Sequence, residues 1–124
     1  MHITHHLDGH LKPLAVDNTT DVQSLDLQGV DAIALNFPKF SDGRAYSQAY
    51  WLRRRLNFKG ELIATGDVLV DELQHMQRCG FSLAVLRADQ DLATGRHLLA
   101  LFDRFYQGDA AHPAPHFVAT EAVA

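Results

Sequence analysis

The chain has 124 residues, a formal net charge of −4 and ordinary proportions of apolar and charged residues. This length predicts one domain with a single modest core. The acidic balance gives no general attraction to nucleic acid or to an anionic membrane. No apolar run approaches the ~20 residues of a membrane span, and the first residues lack the pattern of a signal peptide, so we expect a cytoplasmic protein.

Residues 1–28 predict an irregular amino-terminal segment that contains histidines. The segment is polar and rich in turn formers, with room for one short strand or helical turn. Its histidines are flanked by Thr, Asp and Gly, which disfavour a helix that would gather the imidazoles around a metal; they are His2, His5, His6 and His10. We therefore predict no metal site in this segment.

From residue 29 onwards, short apolar runs alternate with stretches of helical spacing. Buried strands are predicted over residues 30–37, 61–66 and 81–86. Helices are predicted over residues 44–56, 68–79 and 91–106. Gly80 suits the position that ends the second helix, because a glycine adopts the left-handed conformation without strain.

The resulting order, β-α-β-α-β-α with short connections, predicts a parallel sheet. The fold class is a single small α/β domain with a short parallel sheet, similar to part of a TIM-type or flavodoxin-like layer. We assign the α/β core to residues 29–108 and a carboxy-terminal tail, which contains prolines, to residues 109–124.

One face of this sheet needs a cover. Right-handed crossovers in one direction place all helices on the same face, whereas parallel sheets are normally covered on both. Either the amino-terminal residues or a second copy of the chain could cover the other face. The last helix favours a second copy, because its apolar residues form two stripes, Leu92, Leu99 and Phe102 on one and Leu98, Leu101 and Phe105 on the other. We therefore expect a homodimer or a higher oligomer.

Ligands of open parallel sheets bind outside the carboxyl ends of the strands. In this chain those ends bring several polar side chains to one edge, namely Lys39, Asp42, Arg44, Ser47, Thr65, Asp67, Arg87 and Asp89. We predict that a small oxyanion or phosphate-bearing ligand binds at this edge, with the candidate residues Lys39, Phe40, Arg44, Ser47, Thr65 and Arg87.

The loop FPKFSDGR, residues 37–44, carries the first part of this prediction. Pro38 ends the strand, and Asp42 and Gly43 supply a helix cap and a residue free to take positive φ. Arg44 then lies in the first helical turn, where unpaired N–H groups favour an anion. In the alternative interpretation, Asp42 caps the helix, Arg44 pairs with Asp67 or Asp89, and nothing binds.

Asp67 and Asp89 follow successive strands and are the candidate catalytic residues. A pair of carboxylates can transfer protons or hold a metal. Both are also well placed as helix N-caps, and this structural role is the favoured interpretation. Similarly, Glu72, His75 and Cys79 share a helix surface, where ordinary helix packing is favoured over a metal site.

The stretch after the loop combines aromatic and basic residues on one predicted helix. Because Arg, Tyr and Trp are enriched at interface hot spots, it predicts a docking surface for an acidic partner protein. The candidate docking residues are Tyr50, Trp51, Arg53, Arg54 and Arg55. The alternative is a solvated helix face with partly buried aromatic edges.

No fingerprint of a known catalytic class is present. The sequence lacks the glycine-rich dinucleotide and nucleotide loops, the serine-hydrolase elbow and the zinc-protease motif. A single cysteine, Cys79, excludes both an intrachain disulfide and an iron–sulfur cluster held by one chain. We therefore expect no cofactor, and whether the chain is an enzyme stays open.

The stretch FPKFSDGRAYSQAYWLRRRLNFKGELIATGDVLVDELQHMQRCGF, followed by FDRFYQGD and a proline-containing end, resembles a bacterial family of unknown function. The resemblance covers roughly residues 29–117 and leaves the histidine-containing amino terminus outside. Genes of this family commonly lie beside those of assimilatory sulfite reductase, and its members are labelled oxidoreductases on that ground. The family has no established catalytic residues to transfer.

The resemblance implies a cytoplasmic accessory protein of sulfate assimilation, active around the reduction of sulfite to sulfide. Sulfite reductase, or another enzyme of that assimilation, is the implied partner. Two alternatives remain open, a small oxidoreductase acting on an anionic metabolite and a purely structural subunit of a larger assembly.

Overall fold

The computed structural model describes residues 1–105, with side chains through residue 101. The described part has five strands, β1 (His2–Thr4), β2 (Leu14–Val16), β3 (Ala32–Phe37), β4 (Glu61–Gly66) and β5 (Leu83–Val85). Its three α-helices are α1 (Arg44–Arg54), α2 (Leu73–Cys79) and α3 (Leu92–Phe105). Single 3₁₀ turns cover Val22–Ser24 and Val70–Glu72. The tail assigned to residues 109–124 lies outside the described residues.

All the strands are parallel and form one sheet in the order β1-β5-β4-β3-β2. The predicted α/β class and the three central strands are therefore confirmed. Two predicted helices are shorter than expected, since α1 ends at Arg54 and α2 begins only at Leu73, after a 3₁₀ turn. No helix in the described residues has the length and apolar character that a membrane crossing requires.

The prediction of an irregular amino-terminal segment needs correction. Residues 1–28 supply both edge strands of the sheet. Each edge strand has only three residues, too few for a recognisable alternation of apolar and polar side chains. They are strands because the backbone of β5 on one side, and of β3 on the other, offers hydrogen-bond partners.

The main core lies between the sheet and the helices. Inward side chains of β3 and β4 alternate, as a strand requires, and the buried ones on this face include Ile33, Leu35, Leu62 and Ala64. Helix α1 adds Ala45, Ala49 and Leu52 to the same cluster. The three central strands are thereby fixed against one layer of helices.

The opposite face of the sheet carries a smaller cluster made by Ala32, Ala34 and Ile63. Because β1 and β2 are opposite edges, the chain between them crosses this face, and Leu7 and Leu11 pack against the cluster. The sequence left two possible covers for this face of the sheet, and the amino-terminal residues provide at least part of that cover. A second copy of the chain stays a prediction, and each of the two predicted stripes of α3 includes one side chain outside the described residues, Phe102 in one and Phe105 in the other.

Helix ends follow the predictions in part. Gly80 ends α2 with a φ of 106°, as predicted. Helix α1 begins after Gly43, whose φ of −89° is an ordinary value, so the turn does not use the freedom of this glycine to take positive φ. Asp42 nevertheless assists the helix start, because its Oδ1 accepts the backbone N–H of Arg44 at 3.1 Å.

Candidate functional site

Arg87 joins two carboxylates at the carboxyl edge of the sheet. Its Nη1 lies 2.6 Å from Asp67 Oδ1, and its Nε lies 2.7 Å from Asp89 Oδ1. A second bond of 2.8 Å from Nη2 to Asp89 Oδ2 makes that pair bidentate. The structure therefore brings together three of the eight residues that the sequence predicted at this edge, in the form of a closed ion network.

Asp67 also organises the neighbouring loop. Its Oδ2 accepts the backbone N–H of Phe40 at 2.9 Å, which ties the loop after β3 to the loop after β4. The favoured N-cap role of Asp67 and Asp89 is therefore wrong, because their side chains bond Phe40 and Arg87 instead. The cap of α3 is Asp91, whose Oδ2 accepts the N–H and the hydroxyl of Thr94 at 3.0 and 2.7 Å.

These contacts also set the protonation of both carboxyls. The Phe40 N–H and then Arg87 lower the pKa of Asp67, and Arg87 lowers the pKa of Asp89 to about 2. A carboxylate with a lowered pKa is a weak proton acceptor at neutral pH. The geometry thus gives the two candidate catalytic residues a part in holding three loops together, and it adds no support for acid–base catalysis.

Arg44 is also engaged, but with a different partner than predicted. Its Nη2 lies 2.9 Å from Asp42 Oδ2, and not next to Asp67 or Asp89 as the alternative interpretation expected. The side-chain amide of Asn18, which is buried, donates to the same oxygen at 2.8 Å. A carboxylate therefore lies beside the start of α1, where the predicted oxyanion would need to approach.

The remaining candidates for anion binding occupy different surroundings. Thr65 lies on the face of β4 opposite the helices, and its hydroxyl donates to the carbonyl of Leu35 at 3.3 Å. Lys39 and Ser47 are exposed. Phe40 is held through its backbone, and half of its side chain stays exposed, at 50%. The predicted set is thus divided between the Arg87 network, the Asp42–Arg44 pair and the other sheet face, with Lys39 and Ser47 exposed outside all three.

Arg53 differs from the two arginines that follow it. Its guanidinium donates to three backbone carbonyls, those of Gly80 at 2.9 Å, Phe58 at 2.9 Å and Gly60 at 2.7 Å. Burial lowers the pKa of this guanidinium. Because its Nε and Nη1 donate to the protein's own backbone, we remove Arg53 from the predicted docking residues and assign it a structural role.

The other four docking candidates form a surface that we call the docking face, made of Tyr50, Trp51, Arg54 and Arg55. The guanidinium carbon of Arg54 lies 5.5 Å from the Tyr50 ring centre, and that of Arg55 lies 5.2 Å from the Trp51 ring centre. Both arginines are exposed, and no carboxylate of residues 1–101 forms an ion pair with either. The face therefore presents positive charge that the described protein does not neutralise.

Exposed apolar side chains concentrate around the same helix. Among residues 1–101, the large hydrophobic side chains with substantial exposure are Leu14, Phe40, Tyr50 and Leu56. Tyr50 lies on α1, Phe40 just before it and Leu56 just after it. Positive charge and exposed apolar surface along one helix are features of interaction sites.

A polar contact between α1 and the 3₁₀ turn before α2 was not anticipated from the sequence. The hydroxyl of Tyr46 donates to Glu72 Oε1 at 3.1 Å, and its ring lies 4.1 Å from that of His75. Cys79 Sγ is 3.9 Å from His75 Nε2, and burial raises the pKa of the thiol. No group of three or more metal-ligating side chains occurs within the part of the chain that the structure describes.

These features define a class, a small parallel α/β domain with a basic, aromatic face along its first helix. The model of the family described as "Bacterial protein of unknown function (DUF934)" matches residues 13–117, so the chain belongs to that family. The match begins earlier than the resemblance noted from the sequence and includes β2. Neither the comparison with curated proteins nor that with solved structures gave a match.

Proposed function

We propose that this chain is an accessory protein that docks on an acidic surface of a partner enzyme through the docking face. The single observation that carries the proposal is the pair of exposed guanidiniums, Arg54 on Tyr50 and Arg55 on Trp51, without a carboxylate partner in residues 1–101. Contact with an aromatic ring restrains an arginine before binding, so less side-chain entropy is lost on contact.

Charge complementarity explains how such a face acts in a protein with a net charge of −4. Complementary charges raise the rate of encounter and select the partner, and an aromatic centre supplies the affinity. The proposed partner is sulfite reductase, or a neighbouring enzyme of sulfate assimilation. This choice of partner rests on the resemblance to a family whose genes lie beside those of that reductase. The alternative function, an oxidoreductase, gains no support from the Arg87 network.

The experiment is retention of sulfite reductase by the immobilised chain at low salt. We expect the double charge reversal Arg54→Glu/Arg55→Glu to weaken retention by at least about tenfold, and added salt to weaken the wild type similarly. Arg53 stays unchanged, because its loss would disturb the fold.

The matched control is Lys12→Glu/Arg96→Glu, which makes the same change of net charge at exposed positions away from α1. Retention of the control should equal that of the wild type. The proposal fails when the wild type does not retain the reductase, or when the two double variants lose retention equally.

A further inference from the structure

An open pocket lies next to the docking face, at the amino ends of β3 and β4. Its volume is about 460 Å³, and its lining includes Leu27, Val30, Asp31, Leu56, Phe58 and Lys59. Leu56 follows Arg54 and Arg55 directly, so the pocket and the docking face share the carboxyl end of α1. Leu56 is the apolar lining residue that is most open to solvent, with 38% of its surface exposed.

The wall of this pocket is held in place by Arg53. Its Nη1 bonds the carbonyls of Phe58 and Gly60, and its guanidinium lies 5.9 Å from the Phe58 ring centre. The N–H of Phe58 in turn donates to the carbonyl of Leu52 at 2.9 Å, which fixes the chain reversal after α1. A pocket formed before binding adds little ordering entropy to the cost of association.

The charges around the pocket favour one kind of occupant. Lys59 in the lining and the neighbouring Arg54 and Arg55 have no ion-pair partner within residues 1–101, whereas Asp31 is the one carboxylate among the described lining residues. We propose that this pocket receives an apolar side chain from an acidic segment of the partner protein, with carboxylates on both sides of it meeting the arginines and Lys59. This inference rests on the proposed function and specifies the kind of sequence that the docking face binds.

The test uses two fluorescein-labelled peptides and the full chain at low salt. One peptide is Asp-Glu-Asp-Phe-Asp-Glu-Asp, and in the other Ala replaces Phe. We expect the Phe peptide to bind about tenfold tighter, because its aromatic ring is transferred from water into the pocket. Chemical-shift changes specific to the Phe peptide should appear at the amides of Val30 and Phe58.

Leu56→Lys separates the apolar contact from the charge contact. It removes an apolar wall and adds positive charge, so it should bind the two peptides equally, with at least the wild-type affinity for the Ala peptide. Arg54→Glu/Arg55→Glu should weaken both peptides. Equal binding of both peptides to the wild type, no binding of either, or a preference for Phe that survives Leu56→Lys would overturn the inference.

The reductase experiment keeps the two proposals distinguishable. If retention of sulfite reductase depends on Arg54 and Arg55 but is unaffected by Leu56→Lys, the docking proposal stands and the pocket proposal fails. If the chain discriminates the peptides as expected but does not retain the reductase, the pocket proposal stands and the choice of partner is wrong.

Discussion

Arg53 Nε donates to the carbonyl oxygen of Gly80 at 2.9 Å and so ties the last turn of α1 to the end of α2. The Arg53 side chain lies so close to Gly80 that a Cβ added there would be 2.5 Å from Arg53 Cγ. Together with the bonds to Phe58 and Gly60, it makes this arginine the link between a helix end and the segments leading into two strands.

Arg53→Ala should therefore lower the free energy of unfolding by about 2–3 kcal/mol, because it leaves partly buried carbonyls without their charged donor. Arg54→Ala, which removes the same side chain one residue further along, should change it by no more than about 0.5 kcal/mol. Urea unfolding followed by circular dichroism measures both. Equal losses in the two variants would contradict the structural role of Arg53.

Arg87 should control the titration of Asp89. The folded protein holds the pKa of Asp89 at about 2, below its ordinary value of 3.8, so this carboxylate contributes stability that is complete above 3.8 and lost as the pH falls through about 2. In Arg87→Leu, we expect the pKa of Asp89 to move back towards 3.8. Carbon-detected NMR of the carboxyl groups measures the pKa directly.

Arg96→Leu is the control for this titration, because Arg96 is an exposed arginine of α3 outside the network. The pKa of Asp89 should stay at its wild-type value there. An Asp89 pKa that does not change in Arg87→Leu would show that the ion pair does not form in solution.

Asp67 should hold the backbone of the loop that carries Phe40. Its Oδ2 accepts the Phe40 N–H at 2.9 Å, so Asp67→Ala should speed hydrogen exchange of that amide by about tenfold. Asp89→Ala removes the other carboxylate from Arg87 but leaves this bond, and there the Phe40 amide should exchange at nearly the wild-type rate. Exchange that is fast in both variants would assign the effect to Arg87 instead of Asp67.

The central elements could be predicted because their signals are local. Residues 30–37 and 61–66 are short apolar runs next to turn formers, and the structure places β3 and β4 within them. Gly80 was recognisable as a helix end for the same reason. The edge strand His2–Thr4 carried no such signal, since its two outer residues are polar and its pairing with β5 joins positions about 80 residues apart.

The partners of charged side chains were the feature that the sequence predicted least well. Arg53, Arg54 and Arg55 are chemically identical neighbours, but among the described residues only the first bonds backbone carbonyls, those of Phe58, Gly60 and Gly80. Asp67 and Asp89 likewise had the spacing of helix caps, but Arg87 at the same edge provides a stronger, charged partner.

The sequence by itself determined the α/β class, the three central strands and the position of a basic, aromatic helix, because apolar periodicity and turn residues act over a few neighbouring positions. Only the tertiary structure decided which arginines in and directly after α1 are exposed without an ion pair in residues 1–101 and which residues form the pocket beside them. Hydrogen bonds and ion pairs between residues far apart in the chain depend on distances that exist only once the sheet and helices have packed.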